Sequence, residues 1–192
     1  VPEPTGTWYI GFDISTSLGW DLRNPAGKSV AGGVLKLATG LGGAVHEENL
    51  RRIGRVISAA HNVAGAVGGA DLEPALEDVE FTKFAKASAS YWRVRTLVEL
   101  AVYQKLGAKA IVLVIGTSAL KTHAMGGKGQ GEGKKGQVTK RQMVEACAKR
   151  DGTDFPPWEL TPSGQPTAKS KRSGDRADAA HVSHWAWETD SP

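Results

Sequence analysis

The sequence predicts an α/β fold with a mixed central sheet flanked by helices: three antiparallel strands first, then parallel strands. Three observations carry this. Short apolar runs crowd the first forty residues, at 8–12, 18–22 and 30–37. Longer stretches follow in which apolar residues recur every three or four positions, as one face of a helix requires. A further unbroken apolar run, 110–115, lies between two of those stretches, as a buried parallel strand does.

Taken in order, residues 8–12 form a buried strand that ends at Asp13. Asn24-Pro25-Ala26-Gly27 is turn chemistry, so 18–22 and 30–37 pair as antiparallel neighbours and complete a meander. From 46 to 67, Leu50, Ile53, Val56, Ile57, Ala60 and Ala64 make one apolar stripe, and Gly68-Gly69 stops that helix. Residues 76–81 read as a strand that carries carboxylates. Residues 88–105 read as a helix that Ser88 or Ser90 caps, with Gly107 as its stop. The run 110–115 is expected to be a fully buried strand.

Residues 125–137 hold six glycines and four charged residues, which predicts a flexible loop over about 125–138. A helix resumes over 139–150. Residues 153–172, rich in Pro, Ser, Thr and Lys, are expected to be a long connection, and 175–188 the last helix. No internal repeat interrupts the chain, and 1–192 is expected to be a single domain.

With 192 residues the chain is long enough to bury a core. Its 40% hydrophobic and 23% charged residues are ordinary for a globular protein. No apolar run approaches the roughly 18–20 residues of a membrane span, so no membrane association is expected. Val1-Pro2-Glu3-Pro4 shows no basic stretch ahead of an apolar one, so it does not read as a secretory signal. A start at valine suggests a trimmed end. The single cysteine, Cys147, excludes an internal disulfide and a cysteine-cluster zinc site, and it reads as a small buried helix residue in a reducing compartment. Net charge is +4 and the pI about 9.2. The excess is local: from Lys121 to Arg141 there are six basic residues (Lys121, Lys128, Lys134, Lys135, Lys140, Arg141) against one acid, Glu132. That distribution suits a polyanionic partner. Within 126–136 no glycine-lysine pair is followed by Ser or Thr, so the glycine-rich stretch is not a phosphate-binding P-loop.

Four acids stand out by position. Asp13 closes the first apolar strand, ahead of a turn of small hydroxyl residues. Glu77 lies within Ala75-Leu76-Glu77-Asp78-Val79-Glu80-Phe81, where an unpaired inward carboxylate is costly. Asp175 and Asp178 stand three apart at the expected start of the last helix and share a face. Taken singly, each has a plain structural reading: a turn residue, a solvent edge, a helix cap and a partner for the helix dipole. Together they are the hard oxygen set that magnesium prefers. A pair of such ions activates water for phosphodiester hydrolysis.

Ile10-Gly11-Phe12-Asp13-Ile14-Ser15-Thr16-Ser17-Leu18-Gly19-Trp20 resembles the first strand and turn of RuvC-type Holliday junction resolvases, members of the RNase H-like superfamily. Leu76-Glu77-Asp78-Val79 resembles their second acidic strand. Asp175-Arg176-Ala177-Asp178-Ala179-Ala180 resembles their C-terminal acidic helix. The resemblance spans about 8–187. It is that of a divergent phage or bacterial-type member, with a glycine-lysine stretch longer than is typical.

The resemblance implies an RNase H-like fold and a Mg2+-dependent endonuclease, with Mn2+ able to substitute and two ions per site. It implies Asp13, Glu77, Asp175 and Asp178 as metal ligands, with Glu80 the rival of Glu77. Residues three apart in a strand face opposite ways, so only one of those two can reach the metals. Lys121 and Lys140 would contact phosphate beside the cut. Arg93, Arg95, Lys128, Lys134, Lys135 and Arg141 would grip the DNA backbone. Phe81 or Phe84 would stack on unpaired bases, unless both pack a helix onto the sheet. His181, one turn after Asp178, would either assist the metals or simply face the helix, while Trp185 and Trp187 would pack the core. The implied substrate is branched DNA and the implied assembly a homodimer, with the helix from Ser88 as a candidate dimer element. The implied setting is a bacterial or phage-infected cytoplasm, or an organelle after removal of a transit peptide. Three alternatives share parts of this pattern: a related nuclease acting on flaps or hybrids, a fragment of an actin-like kinase, and an inactive nucleic-acid-binding module.

Overall fold

The structure is a computed structural model, and it describes residues 6–15, 17–40, 42–67, 71–78, 85–110, 112–127, 138–152, 159–163 and 165–190, with the backbone alone for 85–88. A five-stranded sheet is built from β1 (Trp8–Asp13), β2 (Ser17–Arg23), β3 (Ser29–Lys36), β4 (Leu72–Asp78) and β5 (Leu113–Gly116), in the order β3-β2-β1-β4-β5. β1 pairs antiparallel with β2, as β2 does with β3, while β4 runs parallel to both β1 and β5. Among the described residues five helices flank it: α1 (Gly43–Ala66), α2 (Ala85–Leu106), α3 (Thr117–Ala124), α4 (Lys140–Asp151) and α5 (Ala168–Asp190).

β1 lies at the centre and is buried along its whole length. Its side chains alternate between two cores, as strand geometry demands. Trp8, Ile10 and Phe12 enter the larger core with Ile53 and Ile57 of α1 and Val98 and Val102 of α2. Tyr9 enters the second core with Ala75, Ile115, Leu120, Met143, Val182 and Ala186. Asp13 has the parity of Tyr9 and Gly11, and Glu77 that of Ala75. Both acids therefore face α5.

That helix lies very close to the sheet. A Cβ on Gly11 would collide with the backbone of Ala179 and Ser183, and one on Gly19 with the carbonyl of Asp175. Neither glycine has a positive φ. They are needed for space, because any side chain would push α5 outward.

The elements depart from the sequence-based expectation in five places, the first being α2, which begins at Ala85, so that Ser88 and Ser90 lie within the helix and do not cap it. β4 begins at Leu72 rather than 76, and its Pro74 is tolerated because the described ladder to β5 starts only at Ala75. β5 is short and sits at the sheet edge, so it is not fully buried: Val114 is 38% exposed. The eight-residue α3 was not expected. α5 begins at Ala168, inside what reads as a connection, so Asp175 lies within the helix and is not its cap. The polar first turns of α5 are held by their hydroxyls: Ser170 donates to the Glu159 carbonyl at 2.9 Å and Ser173 to that of Lys169 at 3.1 Å. α4 matches its expectation, with Thr139 and Gln142 forming a reciprocal capping box. Cys147 is buried and free. The greater part of the expected flexible loop, 128–137, and Glu80 lie outside the described residues. Among the described residues no helix is long and apolar enough to cross a membrane.

Candidate active site

The carboxyl ends of the three parallel strands β1, β4 and β5 open on one side of the sheet, the place where open α/β sheets bind ligands. β1 delivers Asp13, β4 delivers Glu77, and the end of β5 leads directly into Thr117 of α3. Across the cleft α5 presents Asp178. A carboxylate oxygen from each of Asp13, Glu77 and Asp178 lies within 4.8 Å of the other two. The cleft, about 380 Å3 in volume, is also lined by Ser15, Tyr91, Thr117, Lys121 and Lys140.

The electrostatics of this group are lopsided. Burial, and then the charge of Asp178, push the Asp13 carboxyl well above its ordinary range. Burial likewise raises Glu77, with Asp178 adding to it, and raises Asp178 itself. Lys140 opposes them. Its ammonium lies 2.6 Å from Asp178, 3.3 Å from Asp175 and 3.9 Å from Asp13. Partial burial works against its charge, but these carboxylates outweigh that and hold the proton on more firmly than usual. Among the described residues Lys140 and Lys121 face four acids, so the carboxylates outnumber the cations. Among the described residues, Oδ2 of Asp13 and Oδ1 of Asp178 are buried without a hydrogen-bond partner. Buried polar atoms are normally satisfied. Hard oxygen donors with unsatisfied lone pairs fit a divalent cation of the magnesium type.

The expected site residues divide into groups. Asp13, Glu77 and Asp178 meet directly, and Asp175 joins through Lys140. Lys121 lines the same cleft from α3. Asp78 points away from it and accepts from Arg95 at 2.6 Å; Arg95 also donates to Glu99 at 2.9 Å and lies over the Trp92 ring. Both pairings draw Arg95 toward protein carboxylates. Arg93 is exposed and lines a separate hollow with His46 and Asn49. Arg141 is exposed and paired with Glu145. Phe81, Phe84, Lys128, Lys134 and Lys135 lie outside the described residues.

His181 does not reach the carboxylates. It is fully buried, with Nε2 at 2.9 Å from the Met143 carbonyl and Nδ1 at 2.8 Å from Arg150. A carbonyl can only accept and a guanidinium can only donate, so the ring is neutral and protonated at Nε2. Burial and the Arg150 charge hold its pKa down to about 3. Trp185 and Trp187 pack against the second core.

Sequence reasoning missed Thr117 and Tyr91 at this site. Thr117 lies beside Glu77, lowering its pKa through a side-chain hydrogen bond, and its hydroxyl donates to the Asp78 carbonyl at 3.2 Å. Its signal was positional, since it follows the end of a parallel strand as Asp13 closes the first.

No family model and no curated protein sequence matches the chain. Solved structures do. The RuvC of T. thermophilus in complex with a Holliday junction substrate aligns over 94% of this chain and 94% of its own, at 13% identity and a TM-score of 0.59. A further structure of Thermus thermophilus RuvC aligns over 93% and 96%, at 14% identity and a TM-score of 0.56. The yeast mitochondrial Holliday junction resolvase Ydc2 aligns over 99% of this chain and 83% of its own, at 8% identity and a TM-score of 0.57. Along nearly its whole length, the chain has the RNase H-like fold of the RuvC-type resolvases.

Proposed function

We propose that this chain is a metal-dependent endonuclease that cuts branched DNA, with the four-way junction as its substrate. The observation that carries this is the convergence of Asp13, Glu77 and Asp178 from three separate elements in a cleft flanked by Lys121 and Lys140. The fold shared with junction-bound RuvC directs the choice of substrate. Mg2+, with Mn2+ as a substitute and two ions per site, would be held by Asp13, Glu77, Asp178 and Asp175, and would supply an activated water and a Lewis acid for phosphodiester hydrolysis.

The chain's own residues do the rest. Buried carboxylates with raised pKa values bind a cation in exchange for a proton, so binding strengthens as pH rises. Lys140 keeps its proton and places a positive charge where the scissile phosphate must lie. Lys121 supplies a second charge from α3, and such cations stabilise charge that develops in the transition state. Arg95 braces β4 through Asp78, the residue next to Glu77. Arg93 and Arg141 remain exposed for backbone phosphates, with Lys128, Lys134 and Lys135 proposed for the same task and Phe81 or Phe84 for stacking on unpaired bases. Cutting a two-fold junction symmetrically calls for a homodimer. α2 exposes Trp92, Leu100 and Tyr103, a surface suited to a second copy.

The test is cleavage of a labelled four-way junction beside linear duplex, flap and RNA–DNA hybrid, with Mg2+ and with EDTA. Paired symmetric nicks in the junction, abolished by EDTA and strongly reduced by Asp13→Asn, are expected. Equal cutting of flaps or hybrids would retain the nuclease and remove the junction specificity. Absence of metal-dependent cutting on every substrate would overturn the reading.

A further inference from the structure

On the far side of α3 from the carboxylate cleft, a second cluster of ligating side chains forms between α3 and the end of α5. His184 and Glu188 are four residues apart on α5 and share a face, with His184 Nε2 3.7 Å from Glu188 Oε1. His123, in the last turn of α3, brings its Nε2 to 2.6 Å from Glu188 Oε2. One donor atom from each of the three lies within 4.8 Å of the other two. The imidazoles are 5.3 Å apart between ring centres and tilted by 48°, so they do not stack. Among the described residues, the Nδ1 atoms of both rings are buried with no hydrogen-bond partner.

The donor set differs in kind from that of the first site. Two imidazoles and a carboxylate are poor ligands for magnesium and good ones for zinc and its neighbours. Zinc takes nitrogen and oxygen ligands at about 2.0–2.2 Å, which sets donors roughly 3.3 Å apart around a tetrahedral ion. The two contacts to Glu188, at 2.6 and 3.7 Å, bracket that separation, and rotation of an exposed carboxylate adjusts both. Glu188 is about half exposed and the histidines are mostly covered. All three line a cavity of about 920 Å3, which leaves room for solvent to complete the coordination.

We infer that His123, His184 and Glu188 form a second metal site, one that takes Zn2+ and clamps the end of α3 to the last turns of α5. The nuclease reading does not use these residues. The consequence reaches the cleft through α3, whose opposite face carries Thr117 and Lys121. An ion bound here would fix the helix that presents Lys121.

The test is titration of the EDTA-stripped full chain with Zn2+ by calorimetry, in excess Mg2+ to occupy the carboxylate cleft, with thermal melts in parallel. One Zn2+ per chain and a higher Tm are expected. His184→Ala and Glu188→Gln should each weaken binding by at least the roughly 10–100-fold that loss of an outer-sphere partner costs a metal site. Glu188→Gln alters a half-exposed group at the end of a helix, so it remains informative if the histidine variant does not fold. Absence of Zn2+ binding would overturn the inference and leave an ordinary His–Glu pair. Binding that survives in both variants would overturn it equally, since the ion would then lie elsewhere. Junction cleavage plays no part in this readout, so the inference stands or falls apart from the nuclease reading.

Discussion

Asp13 combines two properties that, on the proposed nuclease reading, fit a residue kept for chemistry at the expense of stability. It is buried beside Asp178 and Glu77, and one of its oxygens lacks a hydrogen bond. Without a bound cation its ionised form is repelled by its neighbours. Asp13→Asn preserves shape and removes a charge, so it should stabilise the metal-free chain by about 1 kcal/mol, or about 2–4 °C in Tm for a protein of this size. The same change should lower junction cleavage by about 10²–10³-fold, the scale on which a group that stabilises the transition state acts. Thermal melts in EDTA beside cleavage rates in Mg2+ check both halves. A variant less stable than the parent in EDTA would show that Lys140 already satisfies the site.

At the scale of elements, the site depends on how closely α5 meets β1 and β2. Gly19→Ala places a methyl against the Asp175 carbonyl, and α5 must shift to admit it. A cost of about 1–3 kcal/mol is expected from such overpacking. Cleavage should fall as well, since Asp175 and Asp178 move with the helix; denaturant melts and kcat measured on one preparation would show whether the two losses travel together. The strands of the candidate site were legible in the sequence because an acid that ends an apolar strand, or sits inside one, breaks a strong pattern. Asp13 and Glu77 announce themselves in this way. The start of α5 was not legible, because Lys169-Ser170-Lys171-Arg172-Ser173-Gly174 has the composition of a loop and becomes helical only once its serines find the carbonyls of Glu159 and Lys169. Nor was the role of Arg23. Arginine is mostly exposed in folded proteins, yet Arg23 is fully buried and bidentate to Asp151 at 2.8 and 3.0 Å. Asp151 ends α4, so this pairing ties α4 to the sheet across 128 residues of chain, a contact no local pattern encodes. Arg23→Met should destabilise the fold by about 3–5 kcal/mol, because it takes the paired cation from buried Asp21, which keeps only the hydroxyls of Ser29 and Ser183, and leaves Asp151 to Arg150. Chemical denaturation would measure it.

Over the whole molecule, two populations of perturbed groups pull stability in opposite directions with pH. His181, held down to about 3, and Asp151, held low by Arg23 and Arg150 against the cost of burial, have folded pKa values below their unfolded ones. Their contribution is complete above the unfolded values and is lost as pH falls, for His181 between 6.5 and about 3. Asp13, Glu77, Asp178 and Asp21 are raised, chiefly by burial. Their contribution is complete below the ordinary carboxylate range and is lost as pH rises through their folded values. The metal-free chain should therefore be most stable in mildly acidic solution. A divalent cation competes with protons for the first three of these acids and stabilises by mass action only where they ionise. The gain in Tm from Mg2+ should accordingly be small near pH 5, grow toward pH 8, and shrink in Asp13→Asn at every pH. Melts across that range with and without Mg2+ decide it. A gain independent of pH, or one unchanged in the variant, would place the bound ion away from the carboxylate cleft and remove the link between this fold and metal-dependent cleavage.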